Sequence, residues 1–380
     1  MDDFINLFSH NLCIRCTGRI FANIDTGMTD YQRGTMLAFA YKSFYGTYNA
    51  PDTCWLCNGI FNEFDKYFNM VKDAIGTKEY TTFLIGSKFD PATLLEEEKI
   101  QNKYGNNGES IKKEFNREFG KYFSSISGKE FSKDADIVIE INTIYDNVNL
   151  IIRPLYIYGT YKKERRDIPQ TRWINGSGDS IESLIGEKLL KFTGGKNYKL
   201  HGSGREDVDV MMLGNGREFI MEVDEPEVRN FPVKEFMEEV NNSGNGISIS
   251  NLEFTGKKRV KEIKEATYDK IYRAMVECNT PINRNTLLMA VNTFRNFTIS
   301  QRTPTRVIGN RSDLIRKKEI KYINIEDIHD KEAVVKIRSQ SGTYIKELIN
   351  GDGGRTTPSL SSVYGYELKV KCLDVLKIER

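Results

Sequence analysis

Apolar positions along this chain recur with a helical period in some stretches and alternate in others. Phe61, Phe64, Phe68, Val71 and Ile75 fall on one helical face, and Gly76 closes the run. Asp90-Pro91 predicts a helix start, with Asp as N-cap and Pro at the first helical position. Ile111, Phe115 and Phe119 mark another amphipathic helix. DIVIEI (136–141) and NLIIRPLYIYG (149–159) read as strands. After Trp173, Gly176-Ser177-Gly178 reads as a joint. Asp179 or Ser180 then caps a helix carrying Ile181, Leu184, Ile185 and Leu189, which Gly194-Gly195 ends. EDVDVMML and REFIMEV flank Gly214-Asn215-Gly216, and Asn-Gly between two alternating runs predicts a hairpin. KIYRAMV (270–276) and AVVKIRS (333–339) read as strands, and TYIKELI (343–349) as a short helix.

These elements divide the chain into residues 1–60, 61–170 and 171–380. The first stretch holds four of the six cysteines, and the second alternates helices and strands. The third reads as α+β with a mainly antiparallel sheet. A length of 380 residues fits two or three domains. No run of about 18 apolar residues is present, which excludes a hydrophobic transmembrane helix. The start, MDDFINLFSH, lacks a basic segment followed by a long apolar one, so a cytoplasmic protein is expected. The net charge is only +2, so contact with a nucleic acid would have to come from local patches. One candidate holds Arg302, Arg306, Arg311, Arg316, Lys317, Lys318 and Lys321 against Asp313 and Glu319. A solvated charged face is the alternative reading of that segment.

Cys13-Ile-Arg-Cys16 and Cys54-Trp-Leu-Cys57 are two C-x2-C knuckles separated by 37 residues. Each knuckle puts two thiolates on one tight turn, which is half of a tetrahedral zinc site. The spacer is longer than a minimal zinc ribbon needs, so an inserted element is expected within it. Disulfides fit poorly in a cytoplasmic chain, and one redox pair would not explain two knuckles. A closed, structural zinc site is therefore expected on Cys13, Cys16, Cys54 and Cys57. Cys278 and Cys372 read as core residues.

The segment from His201 to Val210 (HGSGREDVDV) places an Arg and carboxylates in glycine-rich backbone before a strand. If the strand is regular, Asp207 and Asp209 share a face, because side chains alternate with period two. An Asp and an Arg that merely stabilise a turn give the same pattern. A metal-dependent nuclease using Asp207, Asp209, Glu222 and Asp224 is a further reading. Dinucleotide binding is disfavoured: Asp207 stands where the third glycine of that fingerprint belongs, and the segment precedes a strand.

GREDVDVMMLGNGREF (204–219) resembles the catalytic motif of the archaeal and eukaryotic tRNA pseudouridine synthases that act on T-loop uridines 54 and 55. Further matches follow in order. Lys270-Ile-Tyr272-Arg-Ala resembles the family segment whose Tyr stacks on the target base. Ser341-Gly-Thr-Tyr344-Ile-Lys346 resembles the segment whose basic residue pairs with the catalytic Asp. GDGGRTTPS (351–359) resembles the tail of that segment, and PLYIYGTYKKERRDIPQTRW (154–173) the link into the catalytic core. The paired knuckles also fit this family, whose N-terminal region carries zinc and a THUMP-type RNA-binding fold. Two positions depart from its pattern: Met211 stands where Arg is usual, and Glu218 where Pro is usual.

The resemblance implies a pseudouridine-synthase-like α+β catalytic domain preceded by a zinc-binding and THUMP-like α/β region. It implies Asp207 as the catalytic carboxylate, Tyr272 under the base, and Lys346 holding Asp207 ionised, with Arg205 as a second cation. Tyr344 and Leu373 join the substrate-binding set, and Arg311, Arg316 and Lys317 are expected to grip tRNA phosphates. The reaction breaks the C1′–N1 bond, turns the uracil and rejoins it through C5. No redox change occurs, so no organic cofactor is required. The partner implied is tRNA, at its T-loop and acceptor region, with no membrane and no obligate protein partner. A non-catalytic zinc-containing tRNA-binding protein is the alternative.

Overall fold

A computed structural model describes residues 2–24, 27–105, 107–172 and 178–380. The expected joint at Gly176-Ser177-Gly178 falls largely outside these residues. The chain forms two compact units, Met1–Pro154 and Leu155–Arg380.

The first unit is built on a four-stranded sheet in the order Glu130–Phe131, Thr82–Lys88, Ile137–Asn142, Asn147–Ile152. Thr82–Lys88 and Ile137–Asn142 pair in parallel, which demands a crossover. Helices Pro91–Lys103 and Ile111–Ser127 supply it. The first begins where Asp90 accepts a hydrogen bond from the Ala92 amide, as the Asp-Pro signal implied. The second buries Ile111, Phe115, Phe119 and Phe123. The predicted helix ending at Gly76 runs Phe64–Ile75, with Phe61 in a preceding 3₁₀ turn.

The 37-residue spacer contains the helix Asp30–Tyr45, started by a Thr29–Gln32 capping box. It crosses the helix Ile14–Arg19 at very close range. A Cβ on Gly18 would lie 1.8 Å from the Asp30 carbonyl oxygen, and one on Gly34 1.8 Å from that of Ile14. Arg19, only 1% exposed, donates to Glu97 at 2.8 Å and to Glu114 at 2.9 Å. Glu97 also accepts from the Ile111 amide. Removing one partner from such a buried ion pair typically costs about 3–5 kcal/mol. The cysteines share one apolar core with Tyr67, Phe115 and Ile139, so a boundary at residue 60 does not separate two cores.

The second unit is dominated by a ten-stranded sheet. Its order is Thr356–Thr357, Phe297–Arg302, Ile315–His329, Glu332–Ser339, Lys270–Cys278, Leu368–Ile378, Met211–Asp224, Leu155–Lys163, Ile247–Thr255, and Asn197–Gly202 also pairs with Met211–Asp224. One pairing, Leu368–Ile378 with Met211–Asp224, is parallel, and the rest are antiparallel. This is the mainly antiparallel α+β class expected.

Three local expectations need correction. The run 149–159 is not one element. Asn147–Ile152 belongs to the first sheet and Leu155–Lys163 to the second, with Pro154, which has no amide to donate, between them. The division therefore falls at Pro154–Leu155 and not at residue 170.

Asn215-Gly216 does not turn a hairpin; Met211–Asp224 runs through it as one bulged strand. Tyr161 pairs with Arg217 and Lys163 with Met212, so residues 213–216 loop out against one partner residue. The Asn215 side chain bonds both ways to the Ile378 backbone, at 2.7 and 3.0 Å. Gly214, at φ +62°, sits where a Cβ would be 1.8 Å from the Leu376 carbonyl oxygen.

Residues 205–210 form a loop and turn, and the strand starts only at Met211. Asp207 and Asp209 are therefore not side chains on one strand face. The helix Ile181–Thr193 starts at Ser180, which forms a capping box with Ser183, so Ser180 and not Asp179 is the cap.

Candidate active site

The loop carrying Asp207 hangs between Asn197–Gly202 and Met211–Asp224 and is held from behind by buried polar groups. Arg217, in the second Gly-Arg of the segment, is 1% exposed. It donates to Glu206 at 2.7 Å and to the Ser203 carbonyl at 2.8 Å. Tyr161 donates to the same Glu206 carboxylate at 2.7 Å. Gln170 donates to the Tyr161 hydroxyl at 2.9 Å and to the Gly204 carbonyl at 3.0 Å. The buried Lys163 amine donates to the carbonyls of Ile168, Asp207 and Val208 at 3.0–3.1 Å. Burial lowers the pKa of that amine. Arg166 ties the Asp209 carbonyl to that of Leu373. With its backbone fixed, Asp207 directs its carboxylate to Arg306 and Lys346. Gly204 has φ +84°, and a Cβ there would meet Arg217 Nη1 at 3.0 Å and Lys270 Nζ at 3.3 Å.

The carboxylate faces a cavity of about 470 Å³. Asp207, Tyr272 and Lys346 all line it, as do Arg205, Arg311, Tyr344 and Leu373. Tyr272 is buried on the strand Lys270–Cys278. Burial pushes its phenol up to about 12, so the ring stays neutral at physiological pH. Tyr344 ends the loop before the helix Ile345–Asn350, with its backbone locked both ways to the Gln301 side chain at 2.9 Å. Its hydroxyl accepts from Arg311 at 3.2 Å.

Lys346, in the first turn of that helix, lies 3.4 Å from Asp207 Oδ2 but 2.7 Å from Asp209 Oδ2. Its closer partner is thus Asp209. Burial works to raise the Asp209 pKa, but the Lys346 hydrogen bond and charge outweigh it and leave the carboxyl low. The nearest cation to Asp207 is Arg306, which donates to Oδ1 at 2.9 Å and to Glu347 at 2.7 Å. In the sequence Arg306 is one of several cations in a basic run. Nothing in that run marks which of its arginines folds back onto the loop. Arg316 instead donates to Thr303 at 3.0 Å, and neither Arg316 nor Lys317 lines the cavity.

The acidic set for a nuclease is not assembled. Glu222 accepts from Tyr156 at 2.8 Å and pairs with His201 at 2.6 Å, and neither it nor Asp224 lines the cavity. Among the described residues, the four cysteines are the only group of three or more ligating side chains close enough to hold a metal. Their Sγ atoms all lie within 4.8 Å of one another. The family departures sit apart from the chemistry: Glu218 accepts from Tyr158 at 2.8 Å, and Met211 pairs with Asp374.

The family model for the Pus10 C-terminal region matches residues 156–379, which include Asp207, Tyr272 and Lys346. The chain belongs to the Pus10 family. A second model, the archaeal Pus10 THUMP domain, matches residues 67–142, the crossover half of the first unit. Whole-length relatives agree. The tRNA pseudouridine synthase Pus10 of Picrophilus torridus is 53% identical over 378 residues, covering 100% of this chain and 99% of that one. Those of Thermoplasma acidophilum and Pyrococcus furiosus are 48% and 38% identical, each over 98% of this chain and 98% and 96% of theirs. All four cysteines precede both Pus10 model matches.

Proposed function

We propose that this chain is a tRNA pseudouridine synthase, an isomerase that turns uridine into pseudouridine at T-loop positions 54 and 55. The observation that carries the reading is one cavity bringing the Asp207 carboxylate, the Tyr272 ring and the Lys346 amine together in a Pus10 chain. The target uridine leaves its stack to enter the cavity. Stacking on Tyr272 offsets part of that cost, about 1–3 kcal/mol. Asp207 acts at the sugar, as nucleophile at C1′ or base at C2′. Arg306 and Lys346, at 2.9 Å from Oδ1 and 3.4 Å from Oδ2, hold the carboxylate in position for either role.

The four thiols suit zinc. A tetrahedral site with Zn–S of about 2.3 Å has S···S edges of about 3.8 Å. Here Cys13–Cys57 is 3.7 Å, Cys54–Cys57 3.5 Å and Cys16–Cys54 3.4 Å. Four protein ligands leave no open position, so the ion would be structural. It would tie the start of the helix Ile14–Arg19 to the second knuckle in a unit that binds the acceptor region of tRNA. Among the described residues no helix is long and apolar enough to cross a membrane, and the cytoplasm, where tRNA is processed, is the proposed location. The test is to incubate purified protein with a T-loop transcript and map pseudouridines. Conversion at 54 and 55 supports the reading; an unmodified transcript after many equivalents of enzyme contradicts it.

A further inference from the structure

Lys270 is a further basic residue of the cavity. It begins the strand Lys270–Cys278, two residues before Tyr272, so both side chains leave the same face of the sheet. Both line the cavity that Asp207 faces. The strands on either side place Ser339 and Ile378 opposite it, and neither offers a charge. Arg338 and Glu379, one residue along from these, pair with each other at 2.6 Å, and Arg338 also reaches Asp269 at 3.3 Å.

The charges of Arg217, Glu206 and Lys318, from other elements, act on the Lys270 amine. Arg217 and Glu206 neutralise each other, and Lys318 donates to the Ser341 carbonyl. Among the described residues, no hydrogen-bond or ion-pair partner is in place for Lys270. The amine thus lies beside a second cation with no carboxylate bonded to it.

We propose that Lys270 is a catalytic residue whose ammonium donates a hydrogen bond to a carbonyl oxygen of the uracil as the C1′–N1 bond breaks. When that bond breaks, its electron pair stays on the uracil and spreads over N1 and the flanking carbonyl oxygens. The base is then an anion for as long as it is detached, whichever role Asp207 takes. Lys270 keeps its proton and supplies the counter-charge. The uracil turns and C5 bonds to C1′ as Asp207 leaves C1′ or returns the C2′ proton; the adduct is neutral, and transfer of a proton from C5 to N1 completes pseudouridine. The position favours the base over the phosphates: Lys270 shares a face with the buried Tyr272 ring, whereas Asp207 and Arg306 flank the more exposed side. Burial and the Arg217 charge also pull the amine down to about 7, so its charge is lost in an accessible pH range.

This inference rests on the pseudouridine synthase reading. The test compares wild type with Lys270→Met, which keeps the length without the charge, and Lys270→Ala, which leaves room for a small amine. Losing one donor to a developing anion should lower the rate about 100-fold, with tRNA affinity unchanged. Methylammonium should restore part of the rate to Lys270→Ala. The active form is the ammonium, present below its pKa. Wild-type kcat/KM, which reports the free enzyme, should therefore fall as pH rises above about 7, and Lys270→Met should lack that limb. Fluorine at C5 makes uracil a better leaving group, so with 5-fluorouridine at the target the Lys270→Met defect should shrink at least several-fold. Wild-type rate and pH profile in Lys270→Met would overturn the inference, as would a defect confined to tRNA affinity. If wild type itself makes no pseudouridine, the activity reading fails first, which is a separable result.

Discussion

Replacing Arg217 by Met should be among the most damaging single changes in the second unit, although Arg217 touches Asp207 nowhere. Arg217 is buried and holds Glu206 and the Ser203 carbonyl. Met matches its apolar stem but leaves the Glu206 carboxylate, also buried, with only the Tyr161 hydroxyl. An uncompensated buried charge costs about 3–5 kcal/mol. At roughly 2–4 °C per kcal/mol for a unit of this size, its melting transition should fall by about 6–20 °C. The double variant Arg217→Met with Glu206→Gln removes both charges and keeps an acceptor for Tyr161. It should recover most of the loss, to within about 1–2 kcal/mol of wild type. Denaturant unfolding of the four proteins gives the cycle. A single-variant cost below about 1 kcal/mol, or a double variant no better than the single, would refute the view that this ion pair holds the loop.

Four other outcomes follow from the geometry. Protein purified without chelator should contain one zinc per chain, and Cys54→Ala should lose it and unfold the first unit preferentially; metal-free protein with an unchanged first unit would contradict this. Replacing Arg311, Arg316 and Lys317 together should weaken tRNA binding and flatten its salt dependence by about one log–log unit per lost phosphate contact. Arg316, already bonded to Thr303, should contribute least, and unchanged affinity would leave the segment a solvated face. Tyr272→Phe should stay close to wild type, whereas Tyr272→Leu should lose roughly 5- to 150-fold through about 1–3 kcal/mol of stacking; single-turnover rates decide. Lys346→Ala should be milder than loss of Asp207, because Arg306 remains 2.9 Å from that carboxylate.

Local signals were legible where one residue dictates one geometry. Asp90-Pro91, Ser180 and Gly76 mark helix ends in the structure as their chemistry requires. The signals failed where tertiary contacts decide. Asn215-Gly216 permits a turn, but the Asn215 side chain finds the Ile378 backbone instead, and the strand absorbs the extra residues as a bulge. The run 149–159 is apolar on both sides of Pro154, and periodicity cannot say that its halves join different sheets. At the site, the motif-bearing Asp207, Tyr272 and Lys346 could be named, because motif resemblance points to single residues. Arg306 and Lys163 could not, because their roles arise from folding distant segments onto one loop, nor could the Glu206–Arg217 pair, which depends on how the loop settles against its own strand.

The most direct test of the central claim is the conversion of a T-loop transcript by Asp207→Asn, measured beside its tRNA affinity and its folding. Asn keeps the size of Asp207 and removes its charge. Wild-type affinity and an unaltered unfolding transition are expected, with pseudouridine formation below detection under conditions where wild type converts the transcript completely. Pseudouridine formed by Asp207→Asn at a rate close to wild type would contradict it.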